Sequence, residues 1–254
     1  MCGRYATTRG AGELSALFES YDDIGDRLGA DYNVAPTDRV PIVRISERLG
    51  GRVLSVARWG LLPPWAKDAR AGARMINARA ETVATSRAYA NSFARRRCLV
   101  PADGWYEWLR RAGGRQAYFM TPRDGSVLAF AGIWSVWGTA DTSMLTFSVI
   151  TTAALGELAL VHDRMPLLLP RSRWADWLAG DDDPAELLAP PSLAELAGIE
   201  IRPVGPAVGD VRNDGPGLVE RVPAPPLRPA PERSESGPGQ SGPALADSPA
   251  PTLF

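Results

Sequence analysis

Residues 105–134 read WYEWLRRAGGRQAYFMTPRDGSVLAFAGIW. Three runs, 105–109, 116–121 and 127–134, are rich in aromatic and β-branched residues and have the length of strands. They are separated by Gly113-Gly114 and Asp124-Gly125, dipeptides that reach the positive φ angles of tight turns without steric cost. The stretch therefore predicts consecutive antiparallel hairpins. Outward from it, further strands are predicted over 40–45, 52–59, 144–151 and 199–204. Helices are predicted over 12–20, 80–95, 155–161 and 171–179, the last opening directly after Pro170. No internal repeat or linker interrupts residues 1–222. The expected fold is α+β, a single domain built on a curved, barrel-like antiparallel β-sheet with flanking helices. From 223 to 254 Pro, Gly, Ser and Ala crowd out large apolar residues. A chain of that composition cannot bury enough apolar surface to order itself, so a disordered tail with no part in the chemistry is expected.

Composition narrows the function classes. The hydrophobic content of 45% suffices for a packed core. No apolar run approaches the length that spans a bilayer, and the N-terminus lacks a basic region followed by an apolar stretch, so a cytoplasmic protein is expected. Cys2 and Cys98 are the two cysteines and His162 is the sole histidine. A disulfide framework and a structural zinc site are both unexpected on those numbers, and no cofactor is expected. The net charge of −1 is unevenly spread. Residues 58–123 hold thirteen Arg or Lys against Asp68, Glu81, Asp103 and Glu107, a surplus of nine positive charges. Such a segment attracts polyanions, and the guanidinium fork suits phosphate. Genome-driven preference for Arg over Lys explains the choice of cation but not its clustering.

Six short segments carry candidate chemistry. In Met1-Cys2-Gly3-Arg4, the small second residue permits removal of Met1. Cys2 would then present an amine and a thiol on adjacent carbons. An α-amine titrates near about 8, well below a lysine, so part of it is neutral and nucleophilic. It can condense with an aldehyde to an imine, and the thiol can close a five-membered thiazolidine on that imine. An ordinary second-position cysteine is the alternative. The loop 32–37, Tyr-Asn-Val-Ala-Pro-Thr, reads as a fixed turn, and 59–65, Trp-Gly-Leu-Leu-Pro-Pro-Trp, as a rigid loop between two rings. Trp59 reads as core, and Trp65 as a surface on which a base stacks. Asn77 and Arg79 stand just before the 80–95 helix. Asn77 is either a helix cap or an active-site donor, with Arg79 and Arg87 holding phosphates. Glu107 lies between Tyr106 and Trp108, on the same strand face as Trp105, where desolvation would raise its pKa into the range useful for proton transfer. Otherwise it is an exposed acid on an amphipathic strand. His162 precedes Asp163 and Arg164, and is either structural or a proton shuttle. Cys98 reads as buried packing.

Met-Cys-Gly-Arg, Tyr-Asn-Val-Ala-Pro, Ile-Asn-Ala-Arg-Ala-Glu-Thr, Asp-Gly-Trp-Tyr-Glu-Trp and His-Asp-Arg-Met-Pro occur in that order over residues 2–222. In this combination the chain resembles the SOS response-associated peptidase family. The resemblance implies a DNA-repair protein that senses abasic sites in single-stranded DNA and forms a covalent thiazolidine crosslink through Cys2, shielding the lesion. It implies Asn77, Glu107 and His162 as catalytic partners of Cys2. It also implies a DNA-contact set of Arg4, Asn33, Pro36, Trp65, Arg79, Arg87, Thr151 and Arg164. The peptidase-like activity of the family uncovers the N-terminal cysteine. Here only Met1 precedes Cys2, so methionine removal suffices, and a lyase side activity is a further expectation. Replication-fork proteins are candidate partners of a nucleoid-associated monomer. The sequence departs from the family pattern between Trp65 and Asn77 and in the proline-rich tail. Two other readings remain open: an N-terminal-nucleophile thiol hydrolase or amidotransferase, and a non-covalent single-stranded DNA-binding protein.

Overall fold

The computed structural model describes residues 2–111, 114–139, 142–179 and 183–227. In chain order its strands are β1 (Tyr5–Thr7), β2 (Tyr21–Asp22), β3 (Asp31–Val34), β4 (Arg39–Ser46), β5 (Gly51–Trp59), β6 (Asn77–Arg79), β7 (Arg97–Ala102), β8 (Gly104–Arg111), β9 (Gly114–Pro122), β10 (Leu128–Trp137), β11 (Met144–Ala153), β12 (Arg164–Pro166) and β13 (Ile199–Val204). All seven strands expected from the sequence are present. β7 was not expected, because the run Arg-Cys-Leu-Val-Pro-Ala is short and contains a proline.

Two sheets result. One is antiparallel throughout, in the order β13-β9-β8-β1-β3. In the other, β5, β4, β7, β10 and β11 pair in succession, and β11 returns to β5 through Thr146 opposite Arg58 and Phe147 opposite Trp59. That last pairing closes a five-stranded ring. Closure removes the exposed edges that an open sheet would present. The barrel-like expectation holds. The antiparallel expectation needs correcting at three pairings, since the seam between β5 and β11 is parallel, and β6 joins β11 and β2 joins β5 in parallel as well.

A further correction concerns the stretch that frames the fold. β8 and β9 form a hairpin, with Arg111 opposite Gly114; Gly113, one half of the predicted Gly113-Gly114 turn, lies with Ala112 outside the described residues. β9 and β10 do not pair. Both edges of β9 are already taken, one by β8 and the other by β13, so the Asp124-Gly125 turn carries the chain from one sheet into the other.

The helices are shorter than the sequence suggests. α1 (Ala11–Phe18) occupies the first expected position, and the 80–95 segment divides into α2 (Ala80–Val83) and α3 (Ala90–Arg95). The Thr85 hydroxyl donates to the Thr82 carbonyl at 3.3 Å, the kind of local bond that competes with a helix. Residues Gly156–Leu160 form a 3₁₀ turn, and Arg171–Arg173 form another that leads into α4 (Trp174–Ala179).

One core cluster, including Cys2, Tyr5, Trp59, Trp105, Phe130 and Phe147, unites the inner faces of both sheets. A second lies under the helices, where Phe18 stacks on Trp174 with ring centroids 4.4 Å apart. Trp59 is buried, as expected, and its indole N–H donates to the Ile76 carbonyl at 2.9 Å. The segment expected to be tail starts docked. Arg111 donates to the carbonyls of Pro225 and Pro226, and Leu227 packs against the first cluster. Residues 228–254 lie outside the described ones. No helix among the described residues is long and apolar enough to cross a membrane.

Candidate active site

Cys2 sits just ahead of β1, which pairs with β8 through Tyr5 opposite Trp105 and Ala6 opposite Gly104. The ladder runs on past Tyr5, since the Tyr106 amide donates to the Arg4 carbonyl at 2.9 Å. The first residues of the chain therefore lie alongside Glu107. Side chains alternate along a strand, so Trp105 and Glu107 face the interior shared with Cys2 while Tyr106 and Trp108 belong to a separate cluster. Glu107 is 3% exposed, which rules out the amphipathic-surface alternative. Burial raises its pKa to about 7, and the charge of Asp163 acts in the same direction.

Asn77 opens β6 and stands opposite Val149 of β11. It is not a helix cap: Arg79 occupies that position for α2. Its Nδ2 donates to the Cys2 carbonyl at 2.6 Å, tying the head of the chain to the barrel wall. Its Oδ1 is enclosed without a hydrogen-bond partner among the described residues, an acceptor held ready beside Cys2. Tyr89 was not singled out in the sequence. It donates to the Asn77 carbonyl at 3.2 Å from the turn between α2 and α3. No local pattern signals a contact between residues twelve apart on different elements.

Both factors acting most strongly on the Cys2 thiol, burial and then the charge of Glu107, push its pKa well above the usual thiol range. His162 is pulled the other way, with burial the largest cause, so it is neutral at pH 7. Its Nδ1 lies 2.9 Å from the Arg164 amide nitrogen and 2.9 Å from Asp163 Oδ1. Nδ1 cannot accept from the first and donate to the second. The lowered pKa favours the neutral ring, with Nδ1 accepting from the Arg164 amide and the proton on Nε2. The backbone, rather than Asp163, thus fixes the tautomer.

The residues expected to contact DNA divide by exposure. Trp65 is 63% exposed, Arg79 and Arg87 are exposed, and Pro36 is half-buried. Arg4, Asn33 and Thr151 are buried. Arg4 Nη1 donates to Asn33 Oδ1 at 2.6 Å and to the Val208 carbonyl at 2.8 Å, and Asn33 Nδ2 in turn holds the Asn213 carbonyl at 2.7 Å. In this structure that pair ties β1 and β3 to the 208–213 segment. Arg164 engages Glu81 with both terminal nitrogens and the Thr151 carbonyl with one. Thr151 stands opposite Arg79 on β6 and opposite Pro166 on β12, which brings Arg79, Arg164 and Glu81 together next to Asn77. Several other cations of the basic segment are structural. Arg97 is buried, donating to the Phe93 and Trp177 carbonyls, and Arg96 lies over Trp134. Among the described residues no group of three or more His, Cys, Asp or Glu could hold a metal ion.

The head of the chain thus lies inside a closed barrel, beside a buried acid and a carboxamide. The chain belongs to the SOS response associated peptidase (SRAP) family, whose model matches residues 1–211 and so takes in every strand described above. Among its relatives, the abasic site processing protein YoqW of Bacillus subtilis is 33% identical, with 87% of this chain and 99% of that protein covered. The abasic site processing protein YedK of Escherichia coli is 31% identical, with 87% of this chain and 100% of that protein covered. A solved structure of a protein from Bacteroides thetaiotaomicron superposes with a TM-score of 0.75 at 23% identity, covering 87% of this chain and all of that one, a likeness of fold.

Proposed function

We infer that this chain processes abasic sites in DNA, and that it does so by bonding Cys2 covalently to the ring-opened sugar. The observation that carries the reading is the setting of Cys2: an amide on its carbonyl and a buried glutamate close enough to perturb its thiol. The relatives' names point to the same substrate.

With Met1 attached, the Cys2 nitrogen is a peptide nitrogen and cannot form an imine. Removal of Met1 makes it the α-amine. The amine then adds to the C1′ aldehyde of the opened deoxyribose to give a carbinolamine, which loses water to give an imine. Sulfur adds to the imine carbon and the thiol proton passes to nitrogen, closing the thiazolidine with no net change in charge. That balance suits a site where burial disfavours a thiolate. A hydrolase that attacked through the Cys2 thiolate would need the ionised form that this environment opposes.

Glu107, titrating near about 7, can protonate the sugar ring oxygen and the departing hydroxyl and recover the proton afterwards. Neutral His162, with its proton on Nε2, assists ring opening, and Asn77 orients the amine. The imine can alternatively give up a C2′ proton to a base and expel the 3′ phosphate as the C2′–C3′ double bond forms, a β-elimination that is the lyase outcome. Sulfur addition removes the imine and so protects the strand. The exposed Trp65, Arg79 and Arg87 are assigned to single-stranded DNA on either side of the lesion.

Incubated with single-stranded DNA bearing one abasic site, the purified protein should yield an adduct stable to heat and denaturant. Undamaged DNA should yield none. Mass spectrometry should place the linkage on Cys2, and a linkage through Lys67, the single lysine, or through Cys98 would refute the reading.

A further inference from the structure

A second basic site lies apart from Cys2. Arg27, Arg39, Arg58 and Ser143 line a cavity of about 330 Å³ together with Val56 and Met144, and none of the described residues that line it is acidic. It sits at the Met144 end of β11. Val149, the strand partner of Asn77, is five residues further along, roughly 17 Å at the rise of an extended strand.

The arrangement of the three cations is costly as it stands. Arg39 and Arg58 are directly opposite each other on β4 and β5, where like charges destabilise a ladder. Arg58 Nη1 is enclosed and has no hydrogen-bond partner among the described residues. It rests against Gly72, where even a methyl group would come within 2.7 Å of it, so the guanidinium is seated rather than free to swing into solvent. Burial, followed by the charge of Arg39, lowers the Arg58 pKa. Arg27 is fixed by donation from Nε to the Ile24 carbonyl at 2.8 Å. Two seated guanidiniums, Arg27 and Arg58, and a third, exposed one on Arg39, with no carboxylate among the described lining residues, make a cluster that a multiply charged oxyanion would complete, because each presents a planar fork that matches paired oxygens.

We propose that this cavity is a phosphate-binding site distinct from the Cys2 site, with Arg39 and Arg58 as its principal ligands and Arg27 as the third. The phosphate comes either from a free anion or from the backbone of a bound nucleic acid, and the two sources separate by experiment. Full-length wild type, Arg39→Gln and Arg58→Gln would be titrated with inorganic pyrophosphate at constant ionic strength. They would also be titrated with undamaged single-stranded DNA over a range of salt concentrations. Because the DNA is undamaged, the result does not depend on the Cys2 chemistry.

A free-anion site should show wild-type binding of pyrophosphate and at least about tenfold weaker binding in both variants. A backbone site should show little response to pyrophosphate. DNA affinity should instead fall about tenfold in the variants, with a salt slope shallower by about one. Arg39 is exposed, so its variant should fold, and its unfolding midpoint without ligand should hold or rise as one of two facing charges is removed. Unchanged binding of both probes in Arg39→Gln would overturn the proposal. So would a lowered midpoint with unchanged binding, the pattern of a purely structural arginine.

Discussion

Cys2 and Cys98 are both fully buried, and burial raises both thiols well above their ordinary range. By exposure and acidity they are twins. What separates them is the polar company they keep. Cys98 sits within β7 opposite Gly132 of β10, with Arg44 as the charge that tempers its pKa. Around Cys2 stand a carboxamide with an unused acceptor and a carboxyl that titrates near about 7. A buried thiol becomes a candidate nucleophile when groups able to move protons are buried with it, and stays packing when they are not.

Four substitutions press on that difference. The largest effect belongs to Cys2→Ala, which should abolish the heat-stable adduct with abasic DNA, whereas Cys98→Ala should crosslink at the wild-type rate. Crosslinking gels over time decide it, and equal loss in both would erase the distinction.

Next is Glu107→Gln, expected to slow adduct formation about a hundredfold, as for removal of a general acid-base group. Its effect on stability should run the other way. The folded-state pKa of Glu107 is raised from the ordinary 4.5 to about 7, so the fold favours the protonated form. That contribution is complete below pH 4.5 and is lost as the pH climbs through 7, an amount of roughly 3 kcal/mol. Glutamine stays neutral, so the variant should gain stability relative to wild type between pH 5 and about 8. Denaturant unfolding at both ends of the range measures this, and a slow variant that is also less stable at high pH would indicate simple misfolding.

The smallest effect is expected from Gly132→Ala. A methyl group there would come within 2.8 Å of Cys98 Sγ and 2.9 Å of Val100 Cγ2, an overpacking cost of about 1–3 kcal/mol. The crosslinking rate of the folded fraction should not change. A rate loss would mean that packing around Cys98 supports the chemistry after all.

The same contrast shows what a sequence can disclose. Patterning sufficed for seven of the strands, and chemical character singled out Cys2, Asn77, Glu107 and His162 as candidates, of which the structure brings Asn77 and Glu107 beside Cys2. Pairings between distant segments were hidden. The parallel seam of β5 and β11, the filled edges of β9 and the Tyr89 bond to the Asn77 carbonyl all join residues far apart in the chain. Local competition for hydrogen bonds divided the 80–95 helix, and burial decided which arginines are structural. Arg4 and Arg97 look like any other cation in the sequence, and only the fold shows them tied to carbonyl groups in the interior.

β11 completes the ring through Thr146 and Phe147 and, two residues later, receives β6 at Val149. The strand that locks the barrel is therefore also the ruler that sets the height of Asn77. A slip of one residue along it would turn the carboxamide to the opposite face of the sheet. An aminothiol is indiscriminate toward aldehydes in general; under the chemistry proposed for Cys2, fastening Asn77 to the strand that closes the ring would make competence depend on the finished barrel and vanish when the barrel opens.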